Sequence, residues 1–186
     1  MARARTPRES WIDTGLQALA TGGPEAVRIE VLAKDLGVTK GGFYGFFADR
    51  NDLLHAMLDT WEQRAAADVL AQLEYEAGDP ISRALRARDL TFASDLFPIE
   101  LAIREWSRRD PDVAQRLHRV DRQRIDLLRE AIGTVCTDPI DVEARSSLAF
   151  YAAIGAHFAT VDHGQLNSAQ VDAASTALLF GGDDVS

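Results

Sequence analysis

Residues 29–47 constrain the fold of this chain more than any other segment. They are predicted to form two short helices joined by about three residues, a spacing that makes the helices cross closely at a steep angle. The crossing needs a small side chain, which Ala33 supplies, and the turn needs a residue that tolerates positive φ, which Gly37 supplies. Thr39 stands where it would cap the second helix. Five apolar residues fall where they would lock the two helices together: Leu32, Leu36, Val38, Phe43 and Phe47.

This arrangement predicts a helix-turn-helix of the DNA-binding kind. The spacing of Ala33 and Gly37 alone also fits a helical hairpin that only turns a corner in an all-α fold. Here the glycine, the apolar residues and the polar cap all agree, and together they favour the DNA-binding interpretation. The capped start of the second helix would present its first amides and its positive dipole end outward, where they can meet a phosphate or a DNA groove.

The rest of the chain is also predicted to be helical, because apolar residues recur at helical spacing and no stretch alternates as a strand would. A capping residue followed by proline, as at Thr6-Pro7, Asp79-Pro80 and Asp110-Pro111, marks the start of a helix. Glycines and the remaining prolines mark ends or interruptions. About nine helices are expected: one from Thr6-Pro7 to Gly22, then about 30–36, 40–47, 49–76, 81–96, 99–108, 111–132, 141–163 and 168–180.

Composition and charge exclude several classes of protein. Cys136 is the only cysteine among 186 residues, which excludes an internal disulfide framework and a Cys-rich zinc module. No apolar run reaches the ~20 residues that cross a bilayer, and no apolar segment of a secretory signal follows the N-terminal charges, so a cytoplasmic protein is expected. The net charge is −9, yet residues 1–56 hold seven basic and seven acidic side chains. Arg3, Arg5 and Arg8 make this neutral third locally basic, and it can still attract phosphate.

Residues 37–47, Gly-Val-Thr-Lys-Gly-Gly-Phe-Tyr-Gly-Phe-Phe, with Ala-Asp-Arg-Asn-Asp-Leu-Leu at 48–54, resemble the DNA-binding domain of TetR-type transcriptional regulators. The family pattern there is Gly-Val-Ser-Lys-Gly-Thr-Leu-Tyr-x-His-Phe, then a short gap, Lys, an acidic residue and Leu-Leu. The resemblance is specific over about residues 8–58 and implies a two-part fold of nine or ten helices. We therefore expect an all-α chain with a helix-turn-helix DNA-binding domain at 1–56 and a helical ligand-binding and dimerisation domain at 57–186.

The resemblance implies six DNA contacts by position. Thr39, Lys40 and Gly41 would place the start of the recognition helix in the major groove. Tyr44 would touch a backbone phosphate or a thymine methyl. Arg50 would contact a phosphate in place of the usual Lys of the family, and Arg28, just before the second helix, would contact another.

The chain departs from the family pattern in three places. Arg28 replaces the usual Ser or Thr cap, Gly45 weakens a short helix, and Phe46 stands at a common His position and cannot hydrogen-bond a phosphate. Glycines at 41, 42 and 45 cost about 1 kcal/mol each relative to alanine. The recognition helix is therefore expected to order fully only on DNA.

Residues 57–186 contain no phosphate-binding loop and no nucleophile motif, so we do not expect an enzyme. Their aromatic residues fall on separate predicted helices. Each one either packs in the core or, if the aromatic side chains converge, lines a ligand pocket. The resembled family encloses a small-molecule pocket among the middle helices of this domain. A hydrophobic or aromatic ligand is expected there, with these contact residues: Trp61, Phe92, Trp106, Tyr151 and His157.

Metal and redox chemistry are weaker alternatives. His118 and Asp121 lie three apart on one helical face, and His157 or His163 is conceivable as a third ligand, but each is explained as an ordinary polar residue. Cys136 would sense oxidants only if it were reactive, and a lone cysteine is usually inert. No metal and no cofactor are expected.

Small residues predict the assembly. They would allow helices to pack closely, either within one chain or between two, and the resemblance also implies a four-helix dimer interface. The expected interface residues are Ala152, Gly155, Ala156, Ala159, Ala177 and Leu178. Two-fold symmetry would then call for a pseudo-palindromic operator, since each recognition helix reads one half-site.

Together these expectations describe a homodimeric repressor that a small hydrophobic or aromatic ligand releases from its operator. Two alternatives stay open: a helical ligand-binding protein or enzyme with a non-functional helix-turn-helix, and a DNA-binding regulator without a ligand. The operator, the effector and the sign of regulation are not encoded in any motif of the sequence.

Overall fold

A computed structural model describes residues 8–75, 78–92, 96–159 and 161–181 of the chain, and every regular element in these ranges is helical. The all-α expectation is confirmed. The α-helices are α1 (Arg8–Gly22), α2 (Ile29–Asp35), α3 (Lys40–Phe43), α4 (Arg50–Glu62), α5 (Asp68–Tyr75), α6 (Pro80–Phe92), α7 (Leu96–Ser107), α8 (Pro111–Ile132), α9 (Pro139–Gly155) and α10 (Ser168–Phe180).

Two shorter helical segments complete the description. A 3₁₀ turn at Pro24–Ala26 precedes α2, and a π-helical segment at Gln63–Ala67 joins α4 to α5. Because α4, this segment and α5 follow one another without a break, the described ranges hold nine separate helices. Within those ranges we find no helix with the length and apolarity that a membrane crossing requires.

Side-chain caps explain why the helices start where they do. The Asp49 carboxylate accepts a hydrogen bond from the Asp52 amide at 2.9 Å, and Asp138 accepts from the Ile140 amide at 2.7 Å. Asp79 and Asp110 cap α6 and α8 in the same way. The starts predicted at Asp49, Asp79 and Asp110 are confirmed, because an aspartate satisfies amides that the first turn leaves unpaired. Asp138, which was expected only to interrupt the chain, caps a helix in the same way. Thr6 and Pro7 lie outside the described residues.

Three predicted helix limits are wrong. The second helix of the helix-turn-helix ends at Phe43 rather than at 47, because glycines at 42 and 45 disfavour its continuation. Pro98 lies in the first turn of α7 instead of between two helices. Proline fits there because the amides of a first turn have no partner within the helix, so its missing N–H costs no hydrogen bond. The helix that was expected over 141–163 is α9, which begins earlier, at Pro139, and ends at Gly155.

The described chain divides into two compact units. Unit 1 contains the described residues up to Val69 together with Thr91–Val120, and unit 2 contains Leu70–Leu90 and the described residues from Asp121 onward. The division at residues 56 and 57 concerns function and stays a prediction, and α4 runs through it without interruption.

The core of unit 1 fixes the helix-turn-helix from behind. Trp11 of α1, Phe43 of α3, and Met57 and Trp61 of α4 are almost completely buried. Gly15 allows α1 to approach α4 closely, because a Cβ atom there would lie 2.7 Å from the Met57 sulfur. Each large side chain buried in this way stabilises the fold by roughly 1.5–3 kcal/mol.

Unit 2 has a smaller core, to which Ile132, Cys136 and Phe180 contribute buried side chains. An exposed ion pair joins α8 to α9, with Arg129 Nη2 and Glu143 Oε1 2.7 Å apart. Unit 2 therefore combines a modest apolar core with charged contacts between its helices.

Candidate nucleic-acid interface

The turn between α2 and α3 has the geometry that the sequence predicts. Gly37 has a φ of 65°, and the Val38 and Gly37 amides donate to the carbonyls of Ala33 and Lys34 at 2.9 and 3.0 Å. This pair of hydrogen bonds is the Schellman motif that ends a helix on a left-handed residue. Ala33 is buried at the crossing of the two helices. The turn thereby sets the angle at which α3 leaves α2.

The helix α3 presents one polar and one apolar side. Its Phe43 ring is fully buried, meets Trp11 edge-on at 5.4 Å and stacks on Phe47 at 5.2 Å. The residues on the other side are exposed: Thr39, Lys40, Gly41, Gly42 and Tyr44. The structure therefore brings four of the six predicted DNA contacts onto one exposed surface, called here the recognition surface: Thr39, Lys40, Gly41 and Tyr44.

Thr39 does not cap α3 through its side chain. It occupies the N-cap position with an extended backbone, but its hydroxyl makes no capping hydrogen bond. The Gly42 amide instead donates to the Thr39 carbonyl at 3.0 Å, as in a single tight turn. Thr39 thus stands at the predicted N-cap position, but the predicted side-chain cap is wrong.

Lys40 and Tyr44 differ in how they are held. Lys40 Nζ lies 2.5 Å from Glu30 Oε1 of α2, and both side chains are exposed. The Tyr44 side chain is 54% exposed, and its ring meets Phe43 edge-on at 5.3 Å. Tyr44 is thus oriented by the core, whereas Lys40 is tied to a carboxylate that no motif had marked.

Arg50 has an internal role that sequence reasoning missed. Its Nε donates to the Val27 carbonyl at 2.7 Å and its Nη2 donates to the Pro24 carbonyl. These bonds fix the 3₁₀ turn before α2 to the start of α4. Nothing in the spacing could reveal them, because the acceptors are backbone atoms more than twenty residues away.

Arg28 and Phe46 explain two departures from the family pattern. Arg28 is exposed at the N-cap of α2, where its side chain makes no capping bond. Phe46 is half-buried and packs against the core of unit 1. The position that carries a polar residue in the family pattern thus serves packing in this chain.

Arg8 adds a positive charge beside the helix-turn-helix. Its guanidinium carbon lies 5.0 Å from the centre of the Phe47 ring, a cation–π distance. The other two basic residues of the N-terminal segment, Arg3 and Arg5, lie outside the described residues.

The predicted ligand contacts are divided between the two units. In unit 1, Trp61 is fully buried, Trp106 packs against the same core, and Phe92 lies 5.4 Å from the Phe97 ring. In unit 2, Tyr151 is 65% exposed and His157 is exposed. The indole nitrogen of Trp61 is buried and makes no hydrogen bond within the described chain.

Other predicted polar groups have structural partners. Arg104 binds the buried Glu100 carboxylate, with Nη2 and Oε1 2.9 Å apart. Cys136 is buried with its sulfur 3.9 Å from the Asp138 carbonyl oxygen. Over the described ranges, no three His, Cys, Asp or Glu side chains are grouped so as to hold a metal ion.

The predicted dimer residues lie in unit 2, on α9, just after it, and on α10. Gly155 is half-buried, and the other five are exposed: Ala152, Ala156, Ala159, Ala177 and Leu178. Large apolar side chains are exposed on the same elements, among them Leu148, Tyr151 and Phe158. The assignment of this surface to a dimer stays a prediction.

Comparison with known proteins finds similarity in the N-terminal part of the chain. Residues 12–57 match the family model of bacterial regulatory proteins, tetR family. The HTH-type transcriptional regulator AcrR of Shigella flexneri is 32% identical over 82 residues, which are 42% of this chain and 37% of that protein. The chain thus matches little more than a third of the length of this curated relative.

Solved structures show the same fold over almost the whole chain. The crystal structure of AibR in complex with isovaleryl coenzyme A and operator DNA has a TM-score of 0.67 and 16% identity, covering 92% of this chain and 97% of AibR. A regulator of the TetR/AcrR family from Thermobifida fusca has a TM-score of 0.61 and 20% identity, covering 95% of this chain and 97% of its own. At these identities the likeness shows the fold alone.

Proposed function

We propose that this chain is a member of the tetR family of bacterial regulatory proteins, and that it is a sequence-specific DNA-binding transcriptional regulator and not an enzyme; the match of residues 12–57 to the family model supports this. It acts as a homodimeric repressor on a pseudo-palindromic operator, and a small hydrophobic or aromatic ligand releases it. Because its target is bacterial DNA, it works in the cytoplasm.

The observation that carries this proposal is the recognition surface. Lys40 of α3 and the two flanking residues, Thr39 and Tyr44, are exposed, while Phe43 and Phe47 anchor the same segment in the core. A short helix held from behind, with exposed donors at its start, matches the way a recognition helix enters the major groove. Arg28 and Arg50, at the starts of α2 and α4, would add phosphate contacts that set the orientation on the duplex.

Ligand response is proposed to act through α4. This helix begins at Arg50, whose bonds hold the turn before α2, and it carries the buried Trp61 eleven residues later within the same compact unit. The unpaired indole N–H of Trp61 would donate to a ligand acceptor, because a buried donor without a partner costs about 1–3 kcal/mol. A ligand releases DNA only if it binds the free conformation more tightly than the DNA-bound one.

The test is a selection of DNA by the protein itself. The purified chain is mixed with fragmented genomic DNA from its own source at about physiological salt, and the retained fragments are sequenced. A Tyr44→Ala variant runs beside it, because Tyr44 is exposed and its loss leaves the buried core in place. Circular dichroism and a thermal unfolding curve check that both proteins are folded.

Enrichment of a pseudo-palindrome by the wild type, lost in the variant, is the expected result. Retention of fragments without a shared motif would contradict sequence-specific recognition. A folded wild type that retains nothing above background would overturn the regulator proposal and favour a ligand-binding protein with a non-functional helix-turn-helix.

A further inference from the structure

An acidic residue of α2 lies beside Lys40, the cation of the recognition surface. Glu30 in the first turn of α2 and Lys40 at the start of α3 come within 2.5 Å of each other, Oε1 to Nζ. Their side chains remain 64% and 49% exposed. The pair therefore lies at the surface, where an outside group can replace either partner.

Each member of the pair holds the other in its charged form. The hydrogen bond with Lys40 lowers the pKa of Glu30, and the hydrogen bond with Glu30 raises the pKa of Lys40. Both are therefore ionised at neutral pH. A DNA phosphate that approaches Lys40 meets an ammonium whose negative partner is already in place.

We propose that Glu30 is an internal competitor of DNA for Lys40, so that its carboxylate lowers the affinity of the recognition surface for duplexes of every sequence. This inference rests on the proposed DNA-binding function. A phosphate that binds Lys40 displaces Glu30 and leaves the Glu30 carboxylate facing the negatively charged DNA. This repulsion offsets part of the binding free energy that the Lys40–phosphate contact provides. The pair thus weakens retention on non-specific DNA, where phosphate contacts supply nearly all of the binding.

The salt dependence of binding distinguishes this role. A lysine that neutralises a phosphate releases a condensed counterion, and the slope of log K against log salt changes by about 0.9 per phosphate. When Lys40 leaves Glu30, the freed carboxylate recruits a cation and cancels part of that release. Removal of the Glu30 charge should therefore make the salt slope steeper, by up to about one ion.

The experiment measures binding of the full chain to a mixed-sequence duplex of about 30 base pairs over a range of salt concentrations. Glu30→Gln removes the charge and keeps the shape of the side chain. Asp35→Asn is the matched control, because Asp35 is also exposed on α2 and its replacement removes the same charge. Both substitutions are repeated in a Lys40→Ala background, and the duplex enriched in the selection above is measured in parallel.

Glu30→Gln is expected to tighten binding to the mixed duplex about two- to fivefold, the range of an exposed ion pair, and to steepen the salt slope. Asp35→Asn should change binding less, and in the Lys40→Ala background the two substitutions should become equivalent.

Three outcomes would overturn the inference. An equal gain in DNA affinity from Glu30→Gln and Asp35→Asn would show a general charge effect. A gain in affinity from Glu30→Gln that is undiminished in the Lys40→Ala background would show the same. Weaker binding of Glu30→Gln to the enriched duplex alone would show that Glu30 reads a base edge, as a carboxylate does at cytosine N4. Failure of every protein, wild type included, to bind any duplex at low salt would overturn the proposed function itself.

Discussion

At the scale of single residues, two arginines of unit 1 have different surroundings. Arg28 is exposed at the N-cap of α2 and makes no capping bond there. Arg50 is half-buried and donates to the carbonyls of Val27 and Pro24. A phosphate contact would be the whole role of Arg28, whereas Arg50 also holds together the segment that carries the helix-turn-helix.

Arg50→Ala is therefore expected to lower the free energy of unfolding by about 1–3 kcal/mol, because it leaves two carbonyls without their charged donor. Arg28→Ala should change the free energy of unfolding by less than about 0.5 kcal/mol, as exposed substitutions do. Urea denaturation followed by circular dichroism measures both. Equal stabilities of the two variants would show that the Arg50 bonds contribute nothing to folding.

The same domain contains two glycines with different reasons to be there. Gly37 has a φ of 65° and open space around it, so its role is conformational and not steric. Gly42 lies in α3 with helical backbone and no atom within 4 Å of an added Cβ.

Gly37→Ala should lower the free energy of unfolding by about 1–2 kcal/mol, the cost of a left-handed backbone for a residue with a Cβ. Gly42→Ala should raise it by about 0.5–1 kcal/mol, since alanine loses less entropy in a helix. Thermal and urea unfolding of both variants measure these changes in the free energy of unfolding. A stabilising Gly37→Ala substitution would contradict the Schellman turn described above.

At the scale of elements, ion pairs link neighbouring helices within each unit. In unit 1, Arg116 Nη1 of α8 lies 2.6 Å from Asp59 Oδ1 of α4. In unit 2, Arg129 of α8 binds Glu143 of α9 with two donors, at 2.8 and 2.7 Å. The hydrogen bonds from Arg129 lower the pKa of Glu143 below its usual range.

A group whose pKa is lower in the folded than in the unfolded protein stabilises the fold above its unfolded pKa, and this contribution disappears as the pH falls. Glu143→Gln should therefore lower the melting temperature at pH 7, and the difference from the wild type should shrink as the pH falls below about 4.5. Glu9→Gln, in an exposed first turn of α1, is the control. A difference that stays constant from pH 7 to pH 3 would show that the ion pair does not stabilise the fold.

At the scale of the whole molecule, unit 2 exposes apolar side chains on α9 and α10. Leu178 is 79% exposed and Tyr151 is 65% exposed. Exposed large apolar groups beside small residues favour a surface that a second copy covers. The dimer proposed above would bury this face.

Leu178→Asp is accordingly expected to shift the protein from dimer to monomer at micromolar concentration in analytical ultracentrifugation. Ile140→Asp is the matched control, because Ile140 is 77% exposed on α9 but lies outside the proposed interface. Identical sedimentation of both variants and the wild type would contradict the assignment of Leu178 to the interface.

The sequence by itself determined the local features of this protein. Asp49, Asp79 and Asp110 predicted helix starts because a cap acts on amides close to it in the chain. Gly37 and Ala33 predicted the turn because the positive φ at Gly37 and the close helix crossing at Ala33 depend on residues nearby in the chain. The family pattern over residues 37–54 rests on such short spacings.

Only the tertiary structure decided which partner each long polar side chain has. Lys40 meets Glu30 and Arg50 meets backbone atoms before α2, and no periodicity encodes these distant contacts. It also assigned Trp61 to unit 1 and Tyr151 to unit 2, a division that no sequence pattern marks, and their common pocket stays a prediction. The physical reason is that caps and turns depend on a few consecutive residues, whereas ion pairs and pockets depend on which surfaces the packed helices bring together.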